Sequence, residues 1–330
     1  MPPPTVSVII CAKNEEENLR KHISAFLNQD YPEFEVIVVD DQSEDDTNDF
    51  LHEIAEKNSL LKVVTVSAHI RDHLGKKLAL TLGIRKSVNE ILLLSDADCA
   101  PVSNQWIRQM VSNYSTGKQI VLGFSPYSWK NSLLNVFIQI DTFFTALQYF
   151  SFSLAGMTYM GVGRNLSYRK ELFYTTGFAS HLHVPFGDDD LFVNENATKN
   201  NVAIEISPDS FVTSVPHTRF KYWFRQKKRH LKGGIEYKKE HKFWLGALWV
   251  SYFVFFALFA AAIIREPYSL YVWGVFAFRF VVSFLIYTLI AVKLRMIKLL
   301  WFLPVFEVMH LLLFMPVLSF ISSFSNKKYW

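Results

Sequence analysis

The stretch Ile91-Leu92-Leu93-Leu94-Ser95-Asp96-Ala97-Asp98-Cys99 places an apolar run directly before two carboxylates. The run has the length and branching of a strand buried on both faces, as strands of parallel sheets are. Asp96 and Asp98 are therefore predicted where the strand leaves the core, the edge at which open α/β sheets bind ligands. Two carboxylates this close repel each other unless a cation lies between them, and hard oxygen ligands suit Mg²⁺ or Mn²⁺. The alternative is a solvated turn, because turns favour Asp.

Strand and helix patterns alternate around this stretch. Strands are predicted at 5–10, 34–39, 61–66 and 119–124, and helices at 16–28, 47–57, 76–88 and 104–113. This alternation predicts right-handed βαβ units, and hence an α/β fold with a mostly parallel sheet flanked by helices. No Gly-X-Gly-X-X-Gly follows the first strand, and Gly75-Lys76-Lys77 lacks the rest of a P-loop. A nucleotide bound at this sheet would be held by carboxylates and a metal.

The composition changes along the chain. Hydrophobic residues make up 50% and aromatic residues 16% of 330 residues, and most long apolar runs lie between 243 and 321. Only two cysteines occur, which argues against a disulfide framework and indicates a reducing compartment. No signal peptide is predicted at the start of the sequence, so the first 240 residues are expected to remain in the cytoplasm.

A basic block precedes the apolar region. Residues 219–242 carry ten Lys and Arg against two Glu, a local charge of +8 in a chain of net charge +4. Segments 243–264, 268–292 and 297–322 follow, each long enough to cross a bilayer. The positive-inside rule accounts for the basic block, so we expect about three transmembrane helices and no nucleic-acid partner. The aromatic stretch 133–160 predicts a buried helix or one at the bilayer interface.

Two charged residues fall within the predicted membrane segments. Arg279 lies in the second and Glu307 in the third. Each is costly when it faces lipid, so we predict that they pair with each other. The alternative is that both reach polar surroundings separately.

Four charged motifs occur in a characteristic order. Asp40-Asp41 follows the second strand, Asp96-Ala97-Asp98 follows the fourth, Gly187-Asp188-Asp189-Asp190-Leu191 opens a later helix, and Gln226-Lys227-Lys228-Arg229 precedes the apolar segments. This order resembles family 2 glycosyltransferases, with distant similarity to cellulose and hyaluronan synthase-type enzymes. The resemblance implies a GT-A domain at 1–240 and a membrane domain at 241–330. It also implies inverting transfer from a UDP- or GDP-linked sugar with Mg²⁺ or Mn²⁺ as the cofactor.

The resemblance implies roles for individual residues. Asp189 would be the general base with Asp188 beside it, and Asp98 would coordinate the metal that bridges the diphosphate. The positions implied in nucleotide-sugar binding are Ala12, Asn14, Glu15, Asp40, Asp41, Lys76 and Asp96. Among them, Asp41 would hydrogen-bond the nucleobase, Asp40 would support its loop, and Asp96 would contact the sugar or ribose. The chemistry agrees, because such a transfer needs a base for the acceptor hydroxyl and a cation for the leaving diphosphate.

Gln226, Arg229 and His230 are expected to contact the acceptor and the diphosphate. Polymer-making members carry Gln-X-X-Arg-Trp, whereas this chain has His230 in place of the Trp. With about three spans, this favours a multi-pass inner-membrane enzyme of cell-envelope polysaccharide or glycolipid biosynthesis that transfers a sugar to a lipid-linked or membrane-proximal acceptor. The alternatives are a processive polysaccharide synthase and a non-catalytic membrane scaffold. The sequence leaves the sugar, the nucleotide and the acceptor open.

Overall fold

The structure is a computed structural model that describes residues 2–67, 75–184 and 186–309. The chain divides into two compact units. Unit 1 comprises Met1–Lys130 and Ala146–Pro216, and unit 2 comprises Asn131–Thr145 and His217–Trp330. The predicted domains, a catalytic one at 1–240 and a membrane one at 241–330, are defined by function rather than by compactness. This division stays a prediction.

Strands and helices alternate through the first hundred residues, as the sequence predicts. The strands are β1 (Val6–Ala12), β2 (Phe34–Asp40), β3 (Leu61–Thr65), β4 (Ile91–Asp96), β5 (Cys99–Pro101), β6 (Ile120–Gly123), β7 (Leu166–Arg169), β8 (Val202–Glu205) and β9 (Val212–Ser214). The helices are α1 (Glu16–Leu27), α2 (Thr47–Lys57), α3 (Lys76–Lys86), α4 (Trp106–Val111), α5 (Leu133–Leu154), α6 (Lys170–Thr176), α7 (Asp190–Asn196), α8 (Phe220–Gly233), α9 (Lys239–Arg265), α10 (Leu270–Lys293) and α11 (Leu303–Val308).

Unit 1 is built on a seven-stranded sheet in the order β3-β2-β1-β4-β7-β6-β8. All its strands are parallel except β7, which pairs antiparallel with both β4 and β6. The predicted mostly parallel sheet is confirmed. The apolar run of β4 lies at its centre and is buried on both faces, which explains why the strand carries no polar residue before Ser95.

Register brings the carboxyl ends of the first strands to one edge of this sheet. Ala12 of β1 is opposite Asp40 of β2, and Cys11 of β1 is opposite Asp96 of β4. The adjoining ribbon of β5 and β9 is antiparallel and begins directly after Asp98. Because parallel strands end at a common edge, residues from three separate sequence motifs converge there.

Unit 2 contains two long apolar helices. In length and composition α9 and α10 are sufficient to cross a membrane, and of their apolar side chains only Tyr287 and Ala291 are buried. The predicted segment 243–264 falls within α9, and the predicted segment 268–292 falls within α10 except for its first two residues. In the third predicted segment, 297–322, the structure has a short turn and α11, and residues 310–322 lie outside the described residues.

Arg279 of α10 and Glu307 of α11 form a two-pronged ion pair. Arg279 Nη1 donates to Glu307 Oε2 at 3.0 Å, and Nη2 donates to Oε1 at 2.6 Å. The Tyr287 hydroxyl also donates to Oε1, at 2.7 Å. The predicted pairing is confirmed, and the tyrosine satisfies a further lone pair of the buried carboxylate.

Removing either partner of this pair is expected to destabilise unit 2 strongly. Arg279→Ala or Glu307→Ala leaves an uncompensated buried charge, at a cost of about 3–5 kcal/mol. The double variant should lose less than the sum of the two, because neither charge then remains. The measurement is denaturation of the full chain in detergent, with Arg265→Ala at the exposed end of α9 as the control. Strictly additive losses would contradict an energetic coupling between the two residues.

Candidate active site

The loops after β1 and β2 form one side of the edge. The Asp41 amide donates to the carbonyl of Ala12 at 2.8 Å, which ties the two strand ends together. Asp40 is buried, and its carboxylate accepts from the Ser43 amide at 3.2 Å and from Asn48 Nδ2 at 2.9 Å. Asp41 is half-buried at the same edge. Asp40 therefore holds the loop that follows β2 in place through Ser43 and Asn48. Its expected part in nucleotide-sugar binding stays a prediction.

The loop that contains Asn14 and Glu15 is cross-linked to the loop after β2. Asn14 has a positive φ of 56°, and its Oδ1 accepts from the Glu44 amide at 2.7 Å. The Glu15 amide donates to Thr47 Oγ1 at 2.9 Å. Burial raises the pKa of Glu15 above its ordinary value. The two loops thus form one connected wall, although their motifs are about thirty residues apart in sequence.

Lys76 links the acidic motifs on β4 and before α7. Its Nζ lies 2.5 Å from Asp96 Oδ1 and 3.5 Å from Asp188 Oδ2. Burial acts to lower the pKa of Lys76, but the two carboxylates outweigh it and hold the pKa well above its usual value. Burial raises the pKa of Asp188, while Lys76 opposes this rise. Burial likewise raises the pKa of the neighbouring Cys11 to about 12, so this thiol is neutral at physiological pH.

Asp98 is held differently from Asp96. Ser214 Oγ of β9 donates to its Oδ2 at 3.2 Å, and Cys99 Sγ donates to its Oδ1 at 3.2 Å. Oxygen atoms of Asp96 and Asp98 and the Cys99 sulfur lie within 4.8 Å of one another. Burial keeps the pKa of Cys99 well above its usual value, and a cysteine sulfur is in any case a softer donor than a carboxylate oxygen. Carboxylate oxygens are hard donors, so Asp98, the predicted ligand, suits Mg²⁺ or Mn²⁺, while Asp96 beside it is paired with Lys76.

Asp189 caps α7 and contacts a second segment. Its Oδ1 accepts from the Asp190 amide at 2.7 Å, and its Oδ2 accepts from the Gly163 amide at 2.7 Å. A Cβ at Gly163 would lie 3.1 Å from Oδ2, so a glycine permits this close approach. Each carboxylate oxygen retains a lone pair beyond these bonds, and the side chain is only half-buried. Asp189 can therefore cap α7 and still accept a proton from a bound hydroxyl group.

The three residues expected at the acceptor lie on α8 in unit 2. Arg229 and His230 are exposed, and Gln226 is half-buried. Within this unit the neighbouring Lys227 forms an ion pair with the buried Asp141 of α5. The Trp223 ring of α8 packs edge-on against the Phe137 ring of α5, with the ring centroids 5.1 Å apart. These contacts position α8 against the first part of α5.

Several residues at the site carried no interpretable signal in the sequence. Ser214 reaches Asp98 across 116 residues, and Gly163 reaches Asp189 across 26. Arg164 has its guanidinium carbon 4.3 Å from the Tyr127 ring centroid, and its charge interacts with Asp98 and Asp96. The glycines around Arg164 indicate a turn, but nothing in the sequence indicates which strand end that turn contacts.

Comparison with known proteins agrees with the fold. The solved structure of the mannosyltransferase PcManGT from Pyrobaculum calidifontis, in complex with GDP-Man and Mn²⁺, superposes with a TM-score of 0.58 at 18% identity. The superposition covers 99% of this chain and 88% of that one. At this identity the similarity establishes the fold alone, and that fold is GT-A.

Curated relatives match the N-terminal part of the chain. Glycosyltransferase AglE of Haloferax volcanii is 34% identical over 131 residues, covering 39% of this chain and 41% of AglE. Beta-monoglucosyldiacylglycerol synthase of Trichormus variabilis is 36% identical over 103 residues, covering 31% of this chain and 22% of that enzyme. The chain thus spans less than half the length of either relative.

The family model agrees with these similarities. The model named glycosyl transferase family 2 matches residues 7–176, more than half of the chain. That range includes β1 from its second residue, all of β2 to β7 and, with them, Asp40, Asp41, Lys76, Asp96 and Asp98. The protein is therefore a glycosyltransferase of family 2, with a GT-A fold.

Proposed function

We propose that the protein is a membrane-bound, inverting glycosyltransferase that transfers one sugar from a UDP- or GDP-linked donor to a lipid-linked or membrane-proximal acceptor. The observation that carries this proposal is the convergence of Asp96, Asp98, Lys76 and Asp188 at one sheet edge, with Asp189 at the adjoining helix start. If Asp189 only capped α7, there would be no reason for Lys76 and the Asp96 and Asp98 carboxylates to converge from distant motifs at the same edge.

The donor is assigned to the sheet edge. The wall formed by the Asn14 and Asp41 loops would receive the nucleoside, with Asp41 on the base and Glu15 near the ribose. Asp96, already bound to Lys76, would contact the ribose or the sugar. Asp98, with Asp96 beside it, would hold Mg²⁺ or Mn²⁺, which when bound neutralises charge on the diphosphate. The PcManGT complex contains GDP-Man and Mn²⁺, which supports this class of donor for a chain of the same fold.

The chemical step is assigned to Asp189. Its carboxylate would accept the proton of the acceptor hydroxyl as that oxygen bonds to the anomeric carbon. The bond from this carbon to the diphosphate breaks, and its electron pair leaves with the diphosphate. The amides of Gly163 and Asp190 hold the carboxylate in one orientation, so its remaining lone pairs point in fixed directions. Asp188 and Lys76 would keep the surrounding charge balanced.

Membrane association is supported by two observations. Helices α9 and α10 have the length and composition of membrane spans. The name beta-monoglucosyldiacylglycerol synthase, given to a partial relative, describes a lipid product. The +8 charge of residues 219–242, directly before and at the start of α9, supports a cytoplasmic catalytic domain at an inner membrane. Gln226, Arg229 and His230, on α8 within the same basic segment, are proposed as acceptor-binding residues.

A thermal-shift panel tests the donor assignment. The full chain in detergent is mixed with individual UDP- and GDP-sugars and Mn²⁺, and the correct donor should raise the Tm by about 5–10 °C at about 100 times its Kd. The same sugars in EDTA are the control, since the donor should then bind weakly. If no nucleotide sugar shifts the Tm with Mn²⁺, the proposed donor site is wrong.

Product length distinguishes the proposal from a polysaccharide synthase. With the active donor from the panel, a single added sugar on a lipid acceptor supports the proposed reaction. A ladder of oligosaccharides would support processive synthesis instead. Absence of any transfer or donor hydrolysis, despite donor binding, would support a non-catalytic scaffold.

A further inference from the structure

Arg164 lies in a turn that contacts both the end of β4, before Asp96, and Asp189 at the start of α7. Its backbone carbonyl accepts from Ser95 Oγ, the residue before Asp96, at 3.1 Å. The next residue, Asn165, is fully buried, accepts from Trp106 Nε1 at 3.0 Å and donates to the carbonyls of Phe124 and Ser210. The turn therefore has little freedom to move, and the position of the Arg164 Cα is set by the core.

The guanidinium of Arg164 is also held in place. Its Nη2 donates to the carbonyl of Ser125 at 3.3 Å, and its carbon lies 4.3 Å from the centroid of the Tyr127 ring. Its Nη1 is buried and has no hydrogen-bond partner among the described residues. An unsatisfied buried donor of this kind is destabilising, and more so when it is charged. A ligand oxygen within reach of this N–H group would satisfy it.

The positive charge of Arg164 interacts with the carboxylates of Asp96 and Asp98. Burial acts to lower its pKa, but Tyr127, Cys99 and the two aspartates outweigh this effect, so the group stays cationic. Within the described parts of the chain it forms no ion pair as short as 4 Å. Asp189 contacts the same turn through the Gly163 amide, not through the guanidinium. Arg164 therefore offers a fixed positive charge that interacts with the carboxylates of Asp98 and Asp96.

We propose that Arg164 binds the diphosphate of the nucleotide-sugar donor, with its guanidinium on the phosphate oxygens. This assignment rests on the proposed function. A guanidinium matches two phosphate oxygens with two parallel N–H groups, and such charge-assisted bonds are stronger than neutral ones. In the transfer, the electron pair of the broken bond stays on the diphosphate oxygen. A fixed cation stabilises this added charge without reorganisation.

The test compares nucleoside diphosphates with monophosphates. Binding of GDP, GMP, UDP and UMP to the full chain in detergent with Mn²⁺ is measured by calorimetry for the wild type, Arg164→Ala and Arg164→Lys. For the diphosphate that binds, Arg164→Ala should lose about 10- to 100-fold in affinity, while the matching monophosphate changes little. Arg164→Lys should lose less, because it keeps the charge but not the paired N–H groups.

Arg169 provides a matched control on the adjoining strand. It stacks on Tyr114 at 5.3 Å and lies opposite Ile91, at the far end of β4 from Asp96. Arg169→Lys should leave diphosphate affinity unchanged. The Tm of each variant without nucleotide is compared with that of the wild type. If Arg164→Ala unfolds, Arg164→Lys alone carries the diphosphate-to-monophosphate comparison.

The outcomes separate the Arg164 assignment from the proposed function. If affinity for the diphosphate and the monophosphate falls equally, Arg164 holds the loop rather than the phosphates, and the assignment is overturned. Unchanged diphosphate affinity with reduced turnover would place Arg164 at an acceptor phosphate, which also overturns it. If the wild type binds neither GDP nor UDP with Mn²⁺, the proposed function itself is wrong, and the diphosphate role falls with it.

Discussion

Replacing Asp189 by Asn is expected to lower kcat by about 10²–10⁴-fold while donor affinity changes little, because general-base catalysis contributes about this factor. Asn can accept one of the two amide hydrogen bonds that Asp189 accepts from Gly163 and Asp190, and it is also a good N-cap. The substitution therefore removes the base and retains much of the cap. The measurements are initial rates with the active donor and the Kd of that donor by calorimetry.

Asp190→Asn is the matched control for this prediction. It makes the same chemical change one residue further along, in a buried carboxylate that accepts from the Leu191 amide. Its kcat should remain close to that of the wild type. An Asp189→Asn enzyme with unaltered kcat would make Asp189 a helix cap only. A loss confined to donor affinity would move Asp189 from the chemical step to the donor site.

Replacing Asp98 by Asn is expected to abolish transfer and to weaken donor binding together. A metal bound at this carboxylate would contribute several kcal/mol to donor binding and to stabilisation of the leaving diphosphate. Losses of about 10³-fold or more in kcat/KM are therefore expected. The wild type in EDTA should lose activity in the same way, and added Mn²⁺ or Mg²⁺ should restore the wild type but not the variant. The measurement is donor hydrolysis and transfer across a metal titration.

Two further variants sharpen this prediction. Asp96→Asn should be less severe than Asp98→Asn, since the Asp96 carboxylate is already bound to Lys76. Asp49→Asn, on the exposed surface of α2, should leave the metal dependence unaltered. Full activity of the wild type in EDTA would exclude a metal role for Asp98. Equal losses for Asp96→Asn and Asp98→Asn would mean that the two carboxylates share the ion.

The fold was predictable where the sequence has regular periodicity. Strands β1, β2 and β4 and helices α1 and α2 lie where their apolar patterns predict them, because each buries a continuous face. The insertion of β7 between β4 and β6 was not predictable, since a four-residue strand has no period of its own. The β5–β9 ribbon, which supplies Ser214 to Asp98, is likewise too short to detect.

The acidic motifs, their order and the strand ends that carry them can be recognised in the sequence, because carboxylates directly after buried parallel strands emerge at one sheet edge. The same is true of the apolar helices and the charged residues within them. The partners of these residues are visible in the tertiary structure alone, where Lys76 pairs with Asp96, Ser214 holds Asp98, and the charge of Arg164 interacts with both carboxylates. The physical reason is that a strand end is set by local burial, whereas a side-chain partner is set by the packing of segments that are far apart in the chain.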